Sequence, residues 1–325
     1  TFDRPIQEEG KETMGKTEEL RFPTRPYHTH GGAHVPHRKN TAQLESVVMP
    51  CPDQVILAMQ QHLGAPCIPT VKVGDKVSVG DVVGDSDKYV CAPIHASISG
   101  TVSKIVELLL PTGQKTQGVV IDSDGEMRMS ERIAPPKVES LSDLLAAVRA
   151  SGLVGLGGAG FPAHVKLNIP PDKKVDTLLV NVAECEPYIT ADHREALENS
   201  WAVFSGVYAL KDLLGLKRVL IAVEKNKPDV IEILRKIADN NQADPQNEVR
   251  ILPLESNYPQ GAEKVLVQAC TGRRIPKGKL PSDVGCLVMN VTSVAFLANY
   301  LKTGVPLISK RLTVDGSAVA YPKNV

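Results

Sequence analysis

Long apolar runs are missing from this 325-residue sequence. No stretch approaches the roughly 18–20 apolar residues that cross a bilayer, so no direct membrane span is expected. Net charge is missing as well. Thirty-seven Lys and Arg meet 37 Asp and Glu, and so balanced a chain projects no strong field toward nucleic acid or an anionic membrane. Closely spaced cysteines are the third absence. Cys51, Cys67, Cys91, Cys185, Cys270 and Cys286 include no C-x-x-C, and the nearest pairs are sixteen residues apart. That spacing offers neither a zinc knuckle nor a local iron–sulfur pattern. No metal centre is therefore expected in this chain, and the thiols read as reduced residues of a cytoplasmic protein. The N-terminal "TFDRPIQEEGKETMGKTEEL" has no apolar core and is not a signal peptide. It starts at Thr1 rather than Met, which gives the expectation of a trimmed start.

What is present divides into four stretches. Residues 1–40 read as an N-terminal arm, with Pro5, Pro23, Pro26 and Pro36 and little periodicity. Four histidines, His28, His30, His34 and His37, sit close together in "HTHGGAHVPHRK". Imidazoles so spaced can converge on a metal, but no cysteine or carboxylate completes a ligand set. The reading preferred is a polar loop turning at Gly31–Gly32. Residues 41–134 read as a β module. "VKVGDKVSVGDVVG" alternates valine with polar residues and punctuates with Gly-Asp turns. The style resembles the lipoyl/biotinyl-type barrel-sandwich hybrid, which carries its prosthetic group on a hairpin lysine. Lys88 stands near that place without the flanking sequence such lysines have, so an unmodified structural module is expected.

Residues 135–305 alternate apolar strands ("DTLLVNV", "KRVLIAV", "EVRILPL", "GCLVMNV") with helices, including one long helix expected over 191–214. Continuous apolar strands between helices imply a mostly parallel sheet covered on both faces. The fold class is α/β, with a mostly parallel Rossmann-like sheet after a β barrel-sandwich module. Residues 306–325, "LISKRLTVDGSAVAYPKNV" within them, look like strand, turn, strand. A hairpin alone is marginal, so the natural chain is expected to continue past Val325.

Between the two modules lies "GLVGLGGAGFPAHVKL". Gly155, Gly157 and Gly160 spell G-x-G-x-x-G, but a dinucleotide fingerprint needs a strand before the glycines and a long helix after them. Here a helix precedes, and Pro162 permits only a short helix to follow. A plain inter-domain linker would not need so many glycines. Backbone N–H groups without Cβ atoms can line a flat ligand or cradle a phosphate, and Lys166 offers a charge for one.

"GLGGAGFPAHVKL" resembles the flavin loop of the NADH-oxidising flavoprotein subunit of respiratory complex I. It is more similar still to the C subunit of the Rnf electron-transport complex, whose version ends F-P-T-H-V-K-L. "VNVAECEPYITADHR", "HGGAHVPHRK" and "GVPLISKRLTVDGSAV" resemble further blocks of that family in the same order, the last being the start of a soluble-ligand-binding β-grasp domain. The resemblance implies non-covalent FMN, with NADH as hydride donor. Gly155, Gly157, Gly158 and Gly160 would line the ring and ribityl chain, and Lys166 would meet the phosphate. Asn181 and Glu184 would sit at the flavin, and Asn290 and Thr292 near its phosphate and ribityl. Glu186, Tyr258, Gly261 and Glu263 would serve NADH. Where the complex I block has Asp this chain has Ala183, and one acidic residue of the nicotinamide block is missing. Cys185 reads as a buried residue.

The resemblance further implies other subunits of a membrane electron-transport complex as partners, ferredoxin indirectly, and a peripheral place on the inner face of the cell membrane. Members of the family carry two [4Fe-4S] clusters on a C-terminal domain, whose motifs this chain lacks. Two alternatives stay open on sequence. One is a soluble relative feeding another acceptor, such as a proline-reductase-associated or cobalamin-reductase flavoprotein. The other is a scaffold subunit without flavin.

Overall fold

The computed structural model describes residues 23–29, 31–240 and 249–325. His30 and most of the expected N-terminal arm lie outside the described residues.

The β module comprises β1 (Gln54–Ala58), β2 (Ile68–Pro69), β3 (Lys76–Val77), β4 (Val82–Asp85), β5 (Ile94–His95), β6 (Gly100–Leu109) and β7 (Lys115–Ser123). They form two sheets, ordered β1-β7-β6-β3 and β2-β4-β5, and every pairing is antiparallel. The Gly-Asp punctuation has a common cause. Asp75 accepts the Lys72 N–H at 2.9 Å and Asp81 accepts the Ser78 N–H at 2.8 Å, closing two like turns at Gly74 and Gly80, where φ is +93° and +92°. Turns recurring after six residues keep the strands there short, and Val77, Val79 and Val83 point into the buried core.

Lys88 lies in the connection between β4 and β5 with a side chain 68% exposed, and its ion-pair partner is the neighbouring Asp87 at 3.9 Å. The expected result of intact-mass spectrometry is an unmodified chain. A lipoyl or biotinyl adduct on Lys88 would show that the module is a carrier instead.

The second module opens with α1 (Leu141–Ala150). Ser140 caps it, accepting the Asp143 N–H while the Asp143 carboxylate accepts the Ser140 N–H. After the glycine-rich stretch come α2 (Ala163–Leu167), β8 (Thr177–Val182), α3 (Ala191–Glu198), α4 (Ser200–Leu214), β9 (Arg218–Glu224), α5 (Pro228–Ala238), β10 (Val249–Leu254), α6 (Glu263–Thr271), β11 (Cys286–Asn290) and α7 (Val291–Thr303). The long helix expected over 191–214 is two helices. Asn199, at φ −121° and ψ 30°, leaves helical geometry between them.

The sheet order is β10-β9-β8-β11, parallel throughout. Both faces are covered, which explains the unbroken apolar strands. In β8, Leu178, Val180 and Val182 pack with Val203, Phe204, Val207, Val294 and Leu297 from α4 and α7. The alternate residue Leu179 joins Leu266, Val267 and Cys270 of α6 on the opposite face.

The C-terminal residues form a small hairpin, β12 (Thr313–Val314) with β13 (Lys323–Asn324). The buried Asn324 docks it, donating to the Thr41 carbonyl at 3.2 Å and accepting from Thr190 Oγ1 at 3.0 Å. Among the described residues, no helix is long and apolar enough to cross a membrane.

Candidate functional site

From β8 the chain moves outward to β9 and β10, then returns to the other side of β8 as β11. The connections leaving β8 and β11 therefore diverge. Open α/β sheets bind their ligands at such a crevice, outside the carboxyl ends of the strands. The register sets Asn181 beside Asn290 at those ends.

The glycine-rich stretch is laid over this crevice. The Leu156 N–H donates to Ser293 Oγ at 3.0 Å. The loop closes on itself through the Gly155 N–H and the Phe161 carbonyl at 2.9 Å, and its far end accepts the Leu63 N–H at Gly160 O, 3.1 Å. Beneath it is a cavity of about 330 Å³, lined by Gly155, Gly157, Gly158, Gly160, Lys166, Asn181, Gly261, Glu263 and Asn290 among others. Gly155, Gly158 and Gly160 also border a second cavity of about 460 Å³ on the side of the β module, so the loop is a thin partition.

The glycines differ in what they permit. A Cβ at Gly157 would lie 2.2 Å from Asn290 Nδ2, whereas a Cβ at Gly158 meets nothing within 4 Å. Gly157 thus lets the loop approach the sheet, and Gly158 leaves cavity space free.

The polar residues of the site are mostly tied to one another. Lys166 Nζ pairs with Glu263 Oε1 at 2.6 Å, both side chains partly exposed at 31% and 45%. Asn181 donates to the Gly261 carbonyl at 3.0 Å and accepts the Ala183 N–H at 3.0 Å. Asn290 caps α7, accepting the Thr292 and Ser293 N–H groups at 3.0 and 3.3 Å. Its amide also donates to Asp192 Oδ2 at 2.7 Å, and Thr292 Oγ1 donates to Asp192 Oδ1 at 2.8 Å. Burial raises the Asp192 carboxyl above its ordinary range, against these two hydrogen bonds that favour its charge.

Four residues expected at the site lie away from the cavity lining. Glu184 is buried, and its carboxylate accepts the Asp192 and His193 N–H groups at 2.7 and 3.3 Å, at the N-terminus of α3. Burial, with the negative Asp192 next in weight, pushes the Glu184 carboxyl up to about 7. Thr292 faces Asp192. Glu186 is exposed. Tyr258 is half-exposed, and its backbone pairs with Ala33. Cys185 is buried, as expected, and burial raises its thiol above the usual range.

The loop after β8 has a support that the sequence did not announce. Lys39 Nζ donates to the carbonyl oxygens of Glu184, Glu186 and Ile189 at 2.7, 2.9 and 2.6 Å. Burial lowers that ammonium, partly offset by the carboxylate of Glu184. Beside it the buried Lys227 pairs with the buried Glu224 at 2.9 Å. Ser293, Phe161 and Met289 also line the cavity. For Ser293 the available signal was its place in the first turn of a helix that starts at a strand end.

A parallel sheet with a glycine-roofed crevice at its switch point, preceded by a two-sheet β module, is matched by two known families. Residues 27–126 match the RnfC barrel sandwich hybrid domain, and residues 148–299 match the Nuo51 FMN-binding domain. The class is thus a barrel-sandwich module joined to an α/β domain of the FMN-binding kind. The chain belongs to the RnfC family. It is 41% identical over 299 residues to the RnfC protein of the proton-translocating ferredoxin:NAD(+) oxidoreductase complex of Clostridium ljungdahlii, covering 91% of this chain and 64% of that relative. It is 42% identical over 301 residues to the counterpart from the Na(+)-translocating ferredoxin:NAD(+) oxidoreductase complex of Acetobacterium woodii, covering 91% of this chain and 66% of that one. The counterpart from the ion-translocating oxidoreductase complex of Pseudomonas aeruginosa is 38% identical over 300 residues, 38% of its length. The chain therefore spans less than two thirds of the relatives it matches.

Proposed function

We propose that this chain is the NADH-oxidising flavoprotein module of an Rnf-type ion-translocating ferredoxin:NAD oxidoreductase. The observation that carries this reading is the crevice at the ends of β8 and β11 under a glycine roof, with Gly158 bare toward the cavity. That cradle fits a flat heterocycle: a Cβ at Gly158 would occupy the room a ring needs. Gly155, Gly157, Gly158 and Gly160 would supply the backbone surface, Asn181 and Asn290 the amides at the strand ends, and Lys166 the cation for a phosphate. Bound FMN supplies a hydride acceptor and a means of passing electrons on singly. The protein then needs no acid or base of its own; it has to stack two rings and keep water away.

Glu263, beside Lys166 at the cavity, and Gly261 are assigned to the NADH side, with Tyr258 and Glu186 further out. Glu184 and Thr292 act on the flavin through α3, Asp192 and Asn290. Residues 306–325 are read as the start of a β-grasp domain. Electrons would leave toward iron–sulfur carriers on a further domain or another protein of the complex, with ferredoxin reached indirectly, at the inner face of the membrane.

The test is anaerobic. The chain reconstituted with FMN should be yellow, and NADH should bleach its visible flavin band. A chain that takes up no FMN would be a scaffold subunit, and one that holds FMN but is not reduced by NADH would serve another donor; either result overturns the reading.

A further inference from the structure

The expectation of no metal centre rests on spacing along the chain, and folding undoes that spacing. His62, Cys67 and Cys91 meet in the core of the β module, where all three are buried, at 7%, 4% and 0% exposure. Cys67 Sγ stands 3.5 Å from Cys91 Sγ, and each sulfur stands 3.7 Å from His62 Nε2.

Those edges are the ones a tetrahedral ion imposes. With metal–sulfur bonds of about 2.3 Å and metal–nitrogen bonds of about 2.0–2.1 Å, two ligand sulfurs lie about 3.8 Å apart, and a sulfur and a nitrogen about 3.6 Å apart. A disulfide would bring the sulfurs to about 2.05 Å.

The imidazole is set for ligation. His62 Nδ1 lies 3.0 Å from the Leu63 carbonyl oxygen, an acceptor only, so Nδ1 carries the proton and Nε2 keeps its lone pair. The Ala92 N–H, 3.2 Å from Nε2, agrees. The Ala92 carbonyl oxygen then faces that lone pair at 3.1 Å and Cys67 Sγ at 3.2 Å. Two acceptors so close are reconciled by a cation among them, and this oxygen offers a fourth donor.

We infer that His62, Cys67 and Cys91 form a buried structural site for a zinc-class divalent cation. Thiolate and imidazole select such an ion over magnesium or calcium, which prefer oxygen. The charge balances: each thiol gives up one proton on binding, and two thiolates neutralise a dication, so the apolar core around them receives no net charge. No electron moves.

The site would pin the turn over residues 60–64 to the segment before β5. That turn holds the end of the glycine roof, since Leu63 donates to Gly160 O and a Cβ at Gly160 would lie 3.2 Å from Gln61 O. The inference does not depend on the flavin reading, because metal and flavin are counted separately.

The experiment is metal analysis of the chain purified in reductant without chelator, before and after incubation with Zn²⁺ and then dialysis. About one zinc per chain is expected, as for other closed sites of this donor type. Co²⁺ in its place should give a thiolate-to-cobalt charge-transfer band in the near ultraviolet. Cys67→Ser, Cys91→Ser and His62→Ala should each lose most of the metal, while Cys51→Ser, at an exposed cysteine, keeps it. Alkylation of the folded wild-type chain gives a readout that needs no variant: metal should protect Cys67 and Cys91, and a chelator should expose them. No stoichiometric zinc after incubation, zinc retained by Cys67→Ser/Cys91→Ser, or a Cys67–Cys91 disulfide in the freshly purified chain would overturn the inference.

Discussion

Gly158→Val is expected to melt with the wild-type protein and to bind no FMN. The backbone there presents its missing side chain to open space, with no atom within 4 Å of an added Cβ. An exposed substitution of that kind shifts stability by no more than about 0.5 kcal/mol. The same isopropyl group would stand where a stacked ring has to lie. Gly157→Ala is the counterpart. Its Cβ would meet Asn290 Nδ2 at 2.2 Å and Asn290 Cγ at 2.6 Å. Asn290 would have to abandon either the N-terminus of α7 or the buried Asp192 carboxylate. Losing a helix cap and leaving a charged group short of one hydrogen bond together cost about 2–4 kcal/mol. The two glycines are neighbours in sequence, yet one variant should fail in a thermal melt and the other in a flavin titration. Wild-type FMN affinity in Gly158→Val would place the ring away from this loop.

How much of this could be read from the chain alone varies by residue. The strands β8 to β11 were legible because burial on both faces demands unbroken apolar runs. The Gly-Asp turns were legible because the carboxylate closes its turn locally, three residues back. Glu184 shows where local reading ends. A carboxylate just past a strand end can meet a ligand or the N–H groups of the next helix, and only the position of α3 decides between them. Asn199 is similar: its neighbours favour a continuous helix, and the break between α3 and α4 needs tertiary packing to be seen. Lys39 reaches the loop after β8 from 145 residues away. Convergence at that separation leaves no periodicity to detect, and the meeting of His62 with Cys67 and Cys91 was hidden for the same reason.

Lys166→Ala should weaken FMN binding by about 1.5–3 kcal/mol, the scale of one hydrogen bond to a charged group, or roughly 10- to 150-fold in Kd. Riboflavin, which has no phosphate, should lose far less. The pairing of Lys166 with Glu263 at 2.6 Å sharpens the contrast. Both side chains are partly exposed, and such pairs contribute only about 0–1 kcal/mol to folding, so the variant should remain folded. Glu263 also competes with an incoming phosphate for the same ammonium. Glu263→Gln removes that competition and a like charge, so it should hold FMN at least as tightly as the wild type, opposite in sign to Lys166→Ala. A flavin-fluorescence titration of the three proteins with both ligands reads all of this at once. Equal losses for FMN and riboflavin in Lys166→Ala would mean that the lysine acts through the fold of the loop, and a parallel loss in Glu263→Gln would point to the ion pair itself. Only a loss confined to FMN and to the lysine variant places the phosphate at Lys166.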